Sequence, residues 1–110
     1  MASSVIKCMA TEYETLLNGA SVSSGNTSLY NGRSLSKYSL IQLTWYVNYL
    51  VRASVIIPKS VFTNGINVEL FYVDSQNTQR WADVKYVNDT TVNISCSSNA
   101  SGNITAVGII

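Results

Sequence analysis

Ile41-Gln42-Leu43-Thr44-Trp45-Tyr46-Val47 is followed after three residues by Val51-Arg52-Ala53-Ser54-Val55-Ile56-Ile57. Apolar side chains fall at every second position, Ile41, Leu43, Trp45 and Val47 in the first run and Val51, Ala53, Val55 and Ile57 in the second. A strand sends successive side chains to opposite faces, so each run reads as a strand with one buried face. A three-residue connection, Asn48-Tyr49-Leu50, sets Val47 opposite Val51, Trp45 opposite Ala53 and Leu43 opposite Val55, and the two apolar faces then coincide. The same closure makes Tyr46 and Arg52 face each other outside the core, with the guanidinium over the ring.

Working outward, Pro58 lacks an N–H and ends the second run, and Lys59 to Asn64 reads as a turn closed by Gly65. Ile66, Val68, Leu70 and Tyr72 then alternate with Asn67, Glu69, Phe71 and Val73. After a polar loop from Asp74 to Gln79, Ala82, Val84 and Tyr86 share one face of the next strand while Trp81, Asp83 and Lys85 share the other. Charge selects a register here. Pairing Leu70 with Val84 and Val68 with Tyr86 sets Glu69 against Lys85, whereas a slip of two residues sets Glu69 against Asp83, unfavourable by roughly 0.2–1 kcal/mol. In the chosen register Phe71, Val73 and Trp81 cluster on the face away from the core.

Farther along, parity excludes a two-residue hairpin after Val87 and favours Asn88-Asp89-Thr90 as the connection, pairing Tyr86 with Val92 and Val84 with Ile94. A Ser/Asn/Gly loop leads to a last strand at Ile104–Ile110. Upstream, strands near 13–18 and 27–30 flank a Ser/Gly/Asn-rich stretch from Ala20 to Asn31. Residues 1–12 show no clear period and read as an N-terminal extension to a single domain, 13–110. About eight short strands without a long helix predict an all-β fold, an antiparallel β-sandwich with a jelly-roll-like or Greek-key path.

Composition narrows the chemistry. The chain has 110 residues, no histidine, six carboxylates, 46% hydrophobic and only 12% charged residues. Without histidine the usual general base for a Ser or Cys nucleophile is missing, and no catalytic residue is assigned. Glu69 and Asp83 share a face, but with Lys85 beside them they read as a solvated surface. No phosphate loop and no calcium-type acidic motif occurs, so no cofactor or metal is expected. The seven Lys and Arg residues are scattered singly, which argues against nucleic acid as a partner. No apolar run is long enough to insert in a membrane, and a soluble protein is expected. Cys8 and Cys96 fit no metal spacing and are read as buried thiols or as a pair.

What remains is binding chemistry. Seven tyrosines and two tryptophans offer flat amphipathic surfaces for sugars or protein partners. Trp45 is in phase with the core, whereas the phase of Trp81 turns it outward with Asp83 and Lys85. The candidate binding or interface residues are Trp81, Phe71, Val73, Tyr46, Arg52, Asn77 and Arg80.

The order Ser34-Leu35-Ser36-Lys37-Tyr38 before an alternating strand, then Ile57-Pro58-Lys59, then Trp81-Ala82-Asp83-Val84-Lys85-Tyr86-Val87-Asn88-Asp89-Thr90, resembles the C-terminal domains of bacteriophage tail fibres and related prophage tail appendages. The resemblance covers roughly residues 14–110. It implies a β-sandwich that associates as a homotrimer at a fibre tip and recognises a bacterial host surface, a glycan or a surface protein, from a virion location. It carries over no single binding residue. No coiled-coil or fibrous segment precedes the domain, a departure that suggests an excised domain or a short standalone appendage. The expectation is therefore a non-enzymatic receptor-binding domain; the alternatives are a virion structural or decoration protein and a carbohydrate-binding module of a larger enzyme.

Overall fold

A computed structural model describes residues 12–110. Eight strands follow in chain order: β1 (Tyr13–Ser21), β2 (Gly25–Ser28), β3 (Leu40–Val47), β4 (Leu50–Pro58), β5 (Asn67–Val73), β6 (Gln79–Asn88), β7 (Thr91–Cys96) and β8 (Asn103–Ile109). They form two four-stranded antiparallel sheets, a first of order β1-β8-β3-β4 and a second of order β2-β7-β6-β5. The all-β sandwich expected from the alternating runs is the fold the chain adopts. β8 sits between β1 and β3, and β7 between β2 and β6, so the β1–β8, β3–β8 and β2–β7 pairs join strands distant in sequence, while β3–β4, β5–β6 and β6–β7 are hairpins. The expected turn after Pro58 is one helical turn, α1 (Lys59–Phe62), which drops Phe62 into the core edge-on to Tyr86. Cys96, at the end of β7, is half-buried; the reading of Cys8 lies outside the described residues.

The centre of the core is built from side chains that the period-two pattern selects, with Leu16, Leu17, Val22, Leu29, Leu35, Tyr38 and Phe62 added from outside that pattern and Val51 left exposed. Ile41, Leu43, Trp45, Ile104 and Ala106 come from the first sheet, and Val68, Leu70, Ala82, Val84, Val92 and Ile94 from the second. Trp45 is wholly buried and meets Tyr72 of the opposite sheet edge-on, ring centroids 4.9 Å apart. Its Nε1–H donates to the Ser101 carbonyl at 2.8 Å, so the buried indole carries no unmet donor.

Two hairpins keep the expected pairs but close differently. Leu43 faces Val55 and Trp45 faces Ala53, yet Val47 faces Leu50 and Tyr46 faces Val51. The turn is two residues, Asn48 and Tyr49, both at positive φ (50° and 67°), the I′ geometry whose twist matches the strands. The odd residue demanded by parity is Arg52, bulged within β4 instead of lengthening the loop. The Asn88-Asp89-Thr90 connection is corrected in the same sense. Tyr86 pairs with Val92 and Val84 with Ile94, Asn88 pairs with Thr91, and the extra residue is Val87 inside β6. The bulge spares a three-residue loop in both places.

The β5–β6 register differs from the one that charge favoured. Val68 faces Val84, Leu70 faces Ala82, and Glu69 faces Asp83 after all. Asp74 decides it: its Oδ1 accepts from the Gln76 and Thr78 amides (2.8 and 2.9 Å), and its Oδ2 takes the Arg80 Nε–H at 3.0 Å. Hydrogen bonds to a charged group are worth roughly 1.5–3 kcal/mol each, more than the like-charge penalty they override. The slip is by two residues, so every side chain keeps its face.

At the β1 side, Tyr38 lies under β8, where Gly108 leaves room; a Cβ there would stand 2.6 Å from the ring. The Tyr38 hydroxyl donates to Glu14 Oε1 at 2.7 Å, and Lys37 Nζ meets the same oxygen at 2.7 Å. Burial, then the bond to Glu14, pushes the Tyr38 phenol up to about 12, while the bonds from Lys37 and Tyr38 hold Glu14 below its usual value. The Tyr86 phenol is also raised, by its bond to Asp89. A phenol raised on folding stabilises fully below its unfolded value of 10.0 and loses that contribution as pH climbs through the folded value. Urea midpoints should therefore hold near neutrality and fall above pH 10.0. Tyr38→Phe should start lower and show a flatter alkaline limb; an unchanged limb would show that Tyr38 does not titrate in this range.

Candidate functional site

The two outer faces of the sandwich are chemically unlike. On the second sheet, β5 presents Asn67, Glu69, Phe71 and Val73 outward, and β6 presents Gln79, Trp81, Asp83 and Lys85. Phe71 is the direct cross-strand partner of Trp81, and Val73 faces Gln79. Phe71 and Val73 are 45% and 48% exposed and Trp81 is half-buried. The observed register therefore brings the sequence-selected Phe71, Val73 and Trp81 onto one patch, at the end of the sheet nearest the Asp74 turn. Toward its other end lie Glu69 and Asp83. Asn67 Nδ2–H donates to Asp83 Oδ2 at 2.7 Å, while Asp83 Oδ1 is buried with no hydrogen-bond partner. Among the described residues no group of three or more His, Cys, Asp or Glu side chains gathers in a way that could hold a metal ion.

Tyr46 and Arg52 do not face each other, because the bulge at Arg52 swings its guanidinium over the Tyr72 ring, 5.0 Å from the centroid. Arg80 points toward the interior side of β6, where it pairs with Asp74 at 2.9 Å and donates to the Asn99 carbonyl, clamping two loops together. Asn77 sits exposed in the same turn at φ 59°, its amide bonded to the Asp74 carbonyl. Asn77 and Arg80 are thus engaged in shaping the Asp74–Thr78 turn.

The first sheet has an outer face of another kind. Register lines up four rows across its strands: Tyr13-Ile109-Leu40-Pro58, Thr15-Val107-Gln42-Ile56, Thr105-Thr44-Ser54, and Ser21-Asn103-Tyr46-Val51. None of these side chains is charged. The first two rows are mostly apolar and shape an open hollow of about 230 Å³ lined by Tyr13, Gln42, Val107 and Ile109. In the third row the Thr44 and Ser54 hydroxyls hydrogen-bond at 3.0 Å.

Beyond the fourth row, at the β3–β4 turn, a cleft of about 360 Å³ is lined by Tyr46, Asn48, Tyr49 and Asn103. Its floor is held from below. Gly102, at φ 97°, lies so close to the Tyr46 carbonyl that any Cβ would collide with it, and Trp45 Nε1 grips the Ser101 carbonyl next door. Asn103 Nδ2 donates to the Gly19 carbonyl at 2.8 Å. Tyr49 stands fully exposed at φ 67°, a conformation that costs an L residue roughly 1–2 kcal/mol and that Gly adopts freely. Tyr49 is not among the residues that the alternating pattern singles out, because it falls in the expected three-residue connection. The available signal was Asn-Tyr standing where two-residue hairpins favour Asn-Gly.

No family model, no curated protein and no solved structure matches the chain.

Replacing Asp83 by Asn should raise stability by about 0.5–1 kcal/mol, since the like charge opposite Glu69 disappears and the bond from Asn67 can persist. Urea denaturation of D83N measures this; a loss of stability would mean that the Asp83 carboxylate is held by a favourable partner.

Proposed function

We propose that the protein is a non-enzymatic assembly and attachment module of the tail-appendage type, in which copies of the chain associate and the assembly binds a glycan on a bacterial surface. The observation that carries the reading is the outer face of the first sheet, four cross-strand rows without a charged side chain. Charged residues are depleted at the centres of protein interfaces, and a neutral face brought against a copy of itself meets no like-charge repulsion and strips no ion of its water. The Tyr13-Ile109-Leu40-Pro58 and Thr15-Val107-Gln42-Ile56 rows supply the apolar contact, with the Thr105-Thr44-Ser54 hydroxyl row at its edge and the Tyr46 row outside it. The tail-fibre resemblance implies three copies. It also implies a virion location.

Light scattering of the purified chain should give three times the 12.0 kDa of one copy. Val107→Lys and Gln42→Lys, each placing a charge in the apolar rows, should return the mass to 12.0 kDa without loss of folding by circular dichroism. Trp81→Ala, on the other sheet, should leave the mass unchanged. A wild-type mass of 12.0 kDa at micromolar concentration would refute the assembly reading.

A further inference from the structure

We propose that the cleft at the β3–β4 turn is a binding site for a neutral oligosaccharide, with the Tyr46 and Tyr49 rings against pyranose faces and the Asn48 and Asn103 amides on ring hydroxyls. This names the ligand site within the glycan-binding half of the function proposed above, and it does not require the copies to associate.

Folding alone does not account for Tyr49. Its side chain is fully exposed and its backbone occupies the left-handed region that glycine fills without strain, so the position gives up stability to hold an aromatic ring in solvent. Backbone strain kept by the surrounding structure collects at ligand-contacting positions. Here the surroundings are rigid: the Trp45 bond to Ser101, the contact of Gly102 with the Tyr46 backbone and the Asn103 bond to Gly19 fix the floor on which the tip stands. The floor is preorganised, which limits the ordering that a ligand would have to impose there.

The lining selects the ligand. A cleft of about 360 Å³ falls within the range of small-molecule sites. Tyr and Asn give it aromatic faces, phenol hydroxyls and amides, and no charge. Arg52, the charged residue nearest in sequence, is engaged on the Tyr72 ring. An anionic or cationic ligand would find no counter-ion among the lining residues, whereas a sugar presents C–H faces for the rings and vicinal hydroxyls for amides that both donate and accept. Among the described residues the Asn48 amide and the Tyr46 and Tyr49 hydroxyls make no hydrogen bond, and these are the groups left to meet such hydroxyls. The Tyr46 row lies three rows from Tyr13 along the strands, about 20 Å at two residues per row. Copies meeting on the apolar rows would leave the tip open.

The test is an NMR titration of the whole 110-residue protein with maltohexaose, cellohexaose and chitohexaose at millimolar concentration, with the mass followed by light scattering. Expected are saturable shifts in the Asn48 and Asn103 side-chain amides and in the Tyr46 and Tyr49 ring signals with at least one sugar. Tyr49→Gly, which suits the turn, should fold at least as well, keep the wild-type mass and bind tenfold or more weakly, while Trp81→Ala binds as wild type. A monomer that binds at the tip supports the site and counts only against assembly. Shifts confined to Phe71 and Trp81 would move sugar binding to the other sheet and overturn the site. So would the absence of saturable shifts with all three sugars, or a fall in mass on Tyr49→Gly, which would make the tip a contact between copies.

Discussion

The buried Trp45 indole ties the two sheets to each other and to the loop at one end of the sandwich. It is the largest wholly buried side chain, it meets Tyr72 of the opposite sheet, and its N–H reaches the Ser101 carbonyl in the loop that leads into β8. One residue thereby couples β3 to β5 across the core and to the β7–β8 connection at the sandwich end. A buried indole N–H without an acceptor would cost about 1–3 kcal/mol, so the loop has to pass where it does. Once it passes there, Gly102 is pressed onto the Tyr46 backbone, Asn103 follows directly, and the floor of the tip cleft is set. Packing at the centre thus determines the geometry of a surface feature.

The second constraint is parity. An unbalanced single-residue insertion in a hairpin would turn every apolar side chain of a strand to solvent, so the odd residues at Arg52 and Val87 are confined to bulges while the pairs on either side hold. This is why so much of the fold was legible in the sequence. The faces of β3, β5, β6 and β7, and of β4 from Ala53 onward, follow from alternation alone; Val51, expected on the core face, lies beyond the bulge beside Tyr46 and is exposed. The β5–β6 register was not legible from alternation because both candidates preserve parity. A cross-strand charge rule is weak, and the carboxylate of Asp74, capping two amides inside its own turn, outweighs it. That Asp74 would act as a turn cap depends on loop conformation, which periodicity does not report.

The candidate surfaces divide along the same line. Phe71, Val73 and Trp81 could be gathered from the sequence because they lie on consecutive strands, and they share one patch in either register. The uncharged face of the first sheet could not, because its rows run through β1, β8, β3 and β4, and the insertion of β8 between β1 and β3 is a property of the whole topology. Tyr46 was selected for an expected contact with Arg52, and the bulge that removes that contact leaves Tyr46 between Asn103 and Val51 instead.

The bulge thus has two effects on the surface, one on the shape of the tip and one on its charge. It allows a two-residue turn, which holds Tyr49 clear of the sheet at positive φ, and it swings the Arg52 guanidinium away from Tyr46 onto Tyr72. In a regular three-residue hairpin Arg52 would sit opposite Tyr46 and place a cation beside the cleft. A site lined by Tyr46, Asn48, Tyr49 and Asn103, with no charged side chain among them, is therefore a product of how the strand accommodates its extra residue. The same composition that leaves the first sheet's outer face without charge leaves the cleft dependent on ring faces and amides, which favours ligands that are polar, uncharged and able to stack.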